Sequence, residues 1–238
     1  NIEKIHLLLE AAGVKKGDKV TLCARNTAEW AIAFLGINTY EAVVVPLLAD
    51  FLPDSINHLV DHSDSVALFT DKDIWPALDI KQMPKVHGVV NITDLSLFWT
   101  DLEKLEKAQT DLDKNFAAKF PGGFGPDSVS YPTDNDRDLA VINYTSGTTS
   151  APKGVMLRYE CFSATIDYGH RYLPNYHGDS IVSMLPMGHI YGLTYEFLYP
   201  LCGGVCIWFL GKTPSPSLLL KAMKDVRPYI VITVPLVM

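Results

Sequence analysis

Four cysteines in 238 residues are too few, and too scattered, to frame a fold with disulfides. Cys23, Cys161, Cys202 and Cys206 are therefore expected as reduced thiols of an intracellular protein, with Cys202 and Cys206 buried beside a turn. No histidine cluster accompanies the closest pair, which excludes a zinc site of ordinary spacing. Nor is there an excess of positive charge: 20 Lys and Arg stand against 27 Asp and Glu, for a formal net charge of −7. An acidic chain lacks the basic surface that nucleic-acid binding rests on. Long apolar runs are absent too. "AIAFLGINTY" and "YIVITVPLVM" are too short to span a bilayer, and no basic segment precedes an apolar one as a signal peptide would require.

What is present fits a globular domain: 48% hydrophobic and 20% charged residues. Apolar runs alternate with helical patterns, which predicts an α/β class with largely parallel sheets. Strands are expected at 19–25, 42–48, 65–70, 86–90, 179–185, in "VCIWFL", and finally in "YIVITV". Ile2, Ile5, Leu8, Leu9 and Ala12 mark a first helix, closed by Gly13 and Gly17. Asn26 or Thr27 caps a second helix carrying Glu29 and Trp30. Asp54 caps a short third. Residues 101–119, charged with spaced leucines, read as one solvent-facing helix. "YECFSATIDYGHRY" and "IYGLTYEFLYPL" are further helices, and Ser215 or Ser217 opens the last. The Gly-, Pro- and Asp-rich stretch 121–138 reads as a linker. It divides a first α/β lobe (1–120) from a segment (139–238) holding a strand pair and the start of a second lobe. The amphipathic start, the lack of an initiating methionine and the apolar end read as a piece of a longer protein.

One stretch asks for a function. "YTSGTTSAPKG" (144–154) packs five Ser and Thr residues, two glycines and a lysine between the apolar runs "DLAVIN" and "GVML". A small polar loop between strands can cradle an anion. A Walker loop is excluded: from Gly147 the second glycine falls at Pro152, and Gly154 replaces the Ser or Thr after the lysine. Hydroxyls of Thr145, Ser146, Thr148 and Thr149, with glycine-freed amides, can instead wrap a polyphosphate while Lys153 supplies a point charge. A flexible Ser/Thr/Gly linker would explain neither the lysine nor the strands on both sides.

The string "YTSGTTSAPKGVML" resembles the signature loop of the adenylate-forming superfamily: acyl-CoA synthetases, luciferases and peptide-synthetase adenylation domains. "GDKVTLCARNTAEWAIAFLGINTYEAVVVPL" (17–47) is similar to that family's early strand–helix–strand. "MLPMGHIYG" (184–192) is similar to its Leu-Pro-x-x-His-x-x-Gly motif. "VRPYIVITVPLVM" and the charged sequence before 121 look most like long-chain fatty acid–CoA ligases.

The resemblance implies the large N-terminal domain of such an enzyme, parallel-rich sheets flanked by helices in two lobes. It implies ATP, magnesium and coenzyme A as cofactors and a fatty acid as substrate, in a cytoplasmic protein for which peripheral membrane contact stays open. Thr145, Ser146, Gly147, Thr148, Thr149, Ser150 and Lys153 would hold the ATP phosphates, with Thr148 (or Thr149) at the magnesium. His189 would be the catalytic candidate beside the substrate carboxylate; without the motif around it, it reads as a helix cap. Tyr191 and Gly192, with Tyr195, would line the acyl pocket or simply face the core. Ser150 departs from the family's usual glycine. The adenine-binding segment, the magnesium-binding glutamate, the ribose-binding aspartate, the hinge and the domain with the catalytic lysine are not in these 238 residues. Other expectations stay open: another acid–thiol ligase, a peptide-synthetase adenylation domain, or a non-catalytic nucleotide-binding relative.

Overall fold

The computed structural model describes residues 1–133, 135–145, 152–173, 175–212 and 214–234. A seven-stranded sheet organises the chain, in the order β5-β4-β3-β1-β2-β6-β7. Its strands are β1 (Lys19–Cys23), β2 (Val43–Leu47), β3 (Ser65–Thr70), β4 (Gly88–Asn91), β5 (Leu97–Thr100), β6 (Leu139–Thr145) and β7 (Lys153–Arg158). All neighbours are parallel except the two edge pairs, β4–β5 and β6–β7. The α/β class and parallel-rich sheet expected from the sequence are both seen. Strands β6 and β7, which lie beyond the 121–138 stretch, extend this first sheet rather than opening a second.

Alternation along each strand sends side chains to two cores. Val20, Leu22, Val44, Ala67, Phe69 and Val141 face one side, where helices α1 (Ile2–Ala11) and α2 (Ala28–Thr39) pack. Cys23, Val43, Val45, Leu68, Ile142 and Tyr144 face the other, covered by α3 (Pro53–His62). Helix α2 is apolar almost all round, as a helix covered on more than one side must be. Thr27 caps it, accepting from the Trp30 amide at 3.2 Å. One side of α2 meets the sheet. Against α2 also lies a continuous helical stretch made of α7 (Ile190–Gly192), a π-helical turn (Leu193–Leu198) and α8 (Tyr199–Cys202). Trp30, fully buried, stacks on Phe34 at 5.6 Å between centroids, and Phe197 meets both rings edge-on at 6.3 and 5.7 Å. This aromatic trio joins the later half of the chain to the first sheet.

That later half adds α6 (Tyr159–Tyr172), a parallel pair β8 (Ser180–Ser183) and β9 (Cys206–Phe209), and α9 (Pro216–Val226).

Several local expectations need correction. Helix α3 starts at Pro53 behind Leu52, and Asp54 sits in its first turn; proline needs no amide partner there. Residues 101–119 form two helices, α4 (Glu103–Thr110) and α5 (Leu112–Lys119), broken at Asp111. The break lets Leu105 and Leu112 both reach the core. Strand β5 was not anticipated; it exists by pairing antiparallel to β4. "GVML" lies in the edge strand β7, where Met156 is 68% exposed, so its apolar residues do not mark burial. Residues 229–234 follow β8 without entering its ladder, joined by Tyr229 N–H donating to the Ser180 carbonyl at 3.0 Å. Cys202 and Cys206 are exposed and only Cys23 is buried; all four are free thiols.

Replacing Trp30 by alanine should cost about 3–5 kcal/mol, the usual loss for a large aromatic in a packed core. Urea unfolding of the variant and the parent chain measures it. A loss under about 1 kcal/mol would mean that the trio does not join the two halves.

Candidate functional site

Parallel strands put their carboxyl ends on one edge of a sheet, where ligands of open α/β folds gather. Here that edge collects the end of β1 (Arg25, Asn26), the end of β2 (Leu47, Leu48), the end of β6 (Asn143 to Thr145) and the 184–192 segment. In the β6–β7 hairpin Thr145 stands opposite Lys153 and Tyr144 opposite Gly154. The two described ends of the candidate phosphate loop therefore face each other across the hairpin mouth. Ser146, Gly147, Thr148, Thr149 and Ser150 lie outside the described residues, and with them the proposed magnesium contact and the question of a serine at 150. Tyr144 anchors the base of the hairpin, its hydroxyl 2.7 Å from His62 Nδ1.

Hydrogen bonds tie the 184–192 segment to this edge. Asn26 Nδ2 donates to the Leu185 carbonyl (2.6 Å), and Asn26 Oδ1 accepts from the Met187 amide (3.0 Å). Asn143 Nδ2 donates to the Gly188 carbonyl at 2.9 Å. Asn143 is only two residues from Thr145, so the hairpin mouth and the histidine segment share one frame. Both glycines of the segment are close approaches. A β-carbon at Gly188 would sit 2.8 Å from the Leu47 carbonyl oxygen, and one at Gly192 would sit 2.5 Å from that of Pro186. Only glycine fits at either position without backbone movement.

His189 is exposed and caps the helical stretch, with Nδ1 accepting from the Tyr191 amide at 3.3 Å. A neutral imidazole in this geometry carries its proton on Nε2, leaving that edge as a donor. Capping and a site role are thus compatible. Tyr191 is exposed and its ring lies 5.2 Å from that of Tyr195, while Gly192 is buried against Pro186. A cavity of about 310 Å³ opens between the β1 and β2 ends and β8, with Arg25, Asp50 and Lys212 on its wall. A larger one, about 570 Å³, runs along β6 and β7 from the amino ends of the strands, away from His189.

Three residues of this frame were not singled out in the sequence. Asn26 was weighed only as a cap, and Asn143 carried no motif signal. Glu196 could have been noticed as the one acid within the apolar run "IYGLTYEFLYPL". It is fully buried, and its Oε2 accepts from the amides of Met184 (2.8 Å) and Leu185 (2.6 Å). Among the described residues, its Oε1 and the buried Ser183 hydroxyl have no hydrogen-bond partner. Burial pushes the Glu196 pKa up to about 8, against the lowering pull of the Leu185 and Met184 amides and of the nearby Ser183 hydroxyl, which lies close enough to act on the carboxyl without meeting hydrogen-bond geometry.

The comparisons with known proteins agree with this architecture. The family model described as "AMP-binding enzyme" matches residues 3–238, and the chain belongs to that family. It is 30% identical over 96% of its length to "Probable acyl-activating enzyme 16, chloroplastic" of Arabidopsis thaliana, covering 32% of that protein. It is 27% identical, over 96% of its length and 32% of the relative's, to the Arabidopsis thaliana long-chain-fatty-acid–[acyl-carrier-protein] ligase AEE15, chloroplastic. Against the Mus musculus long-chain-fatty-acid–CoA ligase 6 it is 29% identical, over 91% of the chain and 31% of the relative. The chain thus spans about a third of the length of these relatives.

Among solved structures, the inhibitor-bound N-terminal domain of FACL13 from Mycobacterium tuberculosis superposes with a TM-score of 0.78. The sequence identity is 20%, over 99% of this chain and 54% of that one. The anthranilate CoA ligase AuaEII, in complex with anthranoyl-AMP, gives 0.79 at 20% identity, over 97% and 42%. The fold is that of the N-terminal domain of adenylate-forming enzymes. Among the described residues no helix is long and apolar enough to cross a membrane.

The raised pKa of Glu196 has a sign that can be measured. A carboxyl with a folded value near 8 and an ordinary value of 4.5 holds its proton longer in the folded chain. Its contribution is therefore fully present below about pH 4.5 and is lost as pH rises towards 8. Glu196→Gln removes this titration, so the stability of the variant relative to the parent should rise across that interval by on the order of 2–5 kcal/mol. Parallel stability curves would show that the carboxyl does not titrate in this range.

Proposed function

We propose that the chain is the ATP-handling part of an acid–thiol ligase, most simply a fatty acid–CoA ligase. In the first half-reaction a carboxylate oxygen attacks the α-phosphorus of ATP; an acyl–phosphate bond forms, and pyrophosphate leaves with the bridging oxygen. In the second, the thiol sulfur of coenzyme A attacks the acyl carbonyl and AMP leaves. Such chemistry asks the protein chiefly for positioning and charge neutralisation. The observation that supports this reading is the hairpin mouth. Thr145 and Lys153 stand opposite each other, and Asn143, two residues from Thr145, holds Gly188 next to His189.

In this reading Lys153, Thr145, Ser146, Thr148, Thr149 and Ser150, with the amide of Gly147, hold the departing phosphates, and Thr148 meets the magnesium that accompanies ATP as substrate. His189, through Nε2–H, donates to the acid or to the oxygen that develops charge as it attacks. Tyr191 and Gly192 border the acyl group.

An acyl-carrier-protein thiol in place of coenzyme A is a second reading, favoured by the likeness to a ligase named for acyl-carrier protein as its acceptor. Offering both thiols to a full-length protein carrying this chain separates the two.

Lys153→Ala in that protein should raise the KM for ATP or slow ATP–pyrophosphate exchange. The effect should be roughly tenfold or more, as losing a charge-assisted contact costs about 1.5–3 kcal/mol. Exchange with both parameters unchanged would remove Lys153 from the phosphate site.

A further inference from the structure

We propose that Glu196 is a positioning residue for the acid-activating site, acting as a clamp that sets His189 and Gly188 against the end of β6. The inference rests on the ligase reading above. It starts from a costly arrangement: a carboxyl with no solvent exposure, placed in an apolar helical stretch beneath the motif. Burial of this kind persists where the group satisfies something else, and what it satisfies is specific. Met184 and Leu185 leave β8 at the point where the chain must turn towards Pro186, and their amides have left the β8–β9 ladder, which ends at Ser183. One oxygen of Glu196 accepts from both.

The local backbone is built for this reach. Glu196 lies in the π-helical turn Leu193–Leu198, between α7 and α8. A π turn inserts a residue and rotates the side chains that follow, and such turns are frequent at functional sites. The same stretch starts at the His189 cap and carries Phe197, which locks into Trp30 and Phe34. Glu196 therefore sits between a buried aromatic anchor and a motif loop held from its other side by Asn26 and Asn143. From Leu185 the loop has only Pro186, Met187 and Gly188 before His189. Gly188 is in contact with the Leu47 carbonyl, and Gly192 with that of Pro186. A loop released at Met184 and Leu185 shifts at its base, and the shift carries through to the imidazole. Glu196 touches neither acid nor nucleotide in this account; it acts through the loop.

Two arms test it. In the 238-residue chain, amide hydrogen exchange of Met184 and Leu185 is compared with that of β1 to β3 in Glu196→Leu and Glu196→Gln. Glu196→Leu should speed exchange at those two amides roughly tenfold or more while β1 to β3 stay unchanged, as expected for the loss of buried hydrogen bonds. Glu196→Gln keeps an acceptor oxygen and should preserve protection. Full protection in Glu196→Leu, or equal damage from both variants, overturns the clamp. If Glu196→Leu does not fold, Glu196→Asp decides in its place, because it retracts the acceptor by one methylene; lost protection supports the clamp and retained protection overturns it.

In the full-length protein carrying this chain, the variant that unclamps the loop should lower kcat of pyrophosphate exchange by on the order of tenfold or more, as small misplacements do. KM for ATP should stay close to the parent value, and Glu196→Gln should restore kcat. Lost protection with unchanged kcat makes Glu196 structural only and overturns the positioning role. A parent protein without exchange activity refutes the ligase reading instead, and the amide arm then decides the clamp alone.

Discussion

The side-chain amides of Asn26 and Asn143 hold the rest of this site in place. A loop that leaves a strand and passes over a sheet edge carries backbone groups that water can no longer reach, and each needs a partner. Asn26 satisfies the Leu185 carbonyl and the Met187 amide, and Asn143 satisfies the Gly188 carbonyl. Because Asn26 follows β1 and Asn143 lies within β6, the loop is referenced to two strands on either side of β2. Its register relative to the hairpin is therefore set by the sheet.

Polar ties of this kind specify position more than they stabilise. The stabilisation comes from apolar contact: Trp30, Phe34 and Phe197 bury three rings where α2 meets the 190–202 stretch. Aromatic packing tolerates small sliding, whereas hydrogen bonds in a buried setting do not. The two sets of contacts divide the task, one holding the halves together and the other fixing where His189 and the hairpin mouth stand relative to each other.

Much of the fold was legible because parallel strands buried on both faces leave apolar runs, and "KVTLC", "VVVPL" and "SVALFT" are such runs. What escaped is tertiary in origin. β5 exists through pairing with β4, which no local pattern announces. The break at Asp111 has no glycine or proline to mark it, and is set by the need to bury both Leu105 and Leu112. Residues 229–234 have strand composition but sit outside the β8–β9 ladder. At the site, the hydroxyl-rich loop with its lysine marked Thr145 and Lys153 from their own chemistry, whereas His189 and Gly192 were marked by the resemblance of their segment to a family motif. Asn26, Asn143 and Glu196 hold those loops from elements distant in sequence, and only the three-dimensional arrangement brings them to light.

The central claim is that phosphate is received at the hairpin mouth on the carboxyl edge of the sheet. The alternative receptor is the larger cavity near Lys16 and Lys19 at the amino ends of the strands. The most direct measurement is a titration of the 238-residue chain with inorganic pyrophosphate, followed residue by residue through backbone amide resonances. Saturable shifts are expected in the loop from Thr145 to Lys153 and at the neighbouring Gly188 and His189, and not at Lys16, Gly17 or Asp138. Shifts centred on Lys16, Gly17 and Asp138 instead, with the hairpin mouth silent, would contradict it.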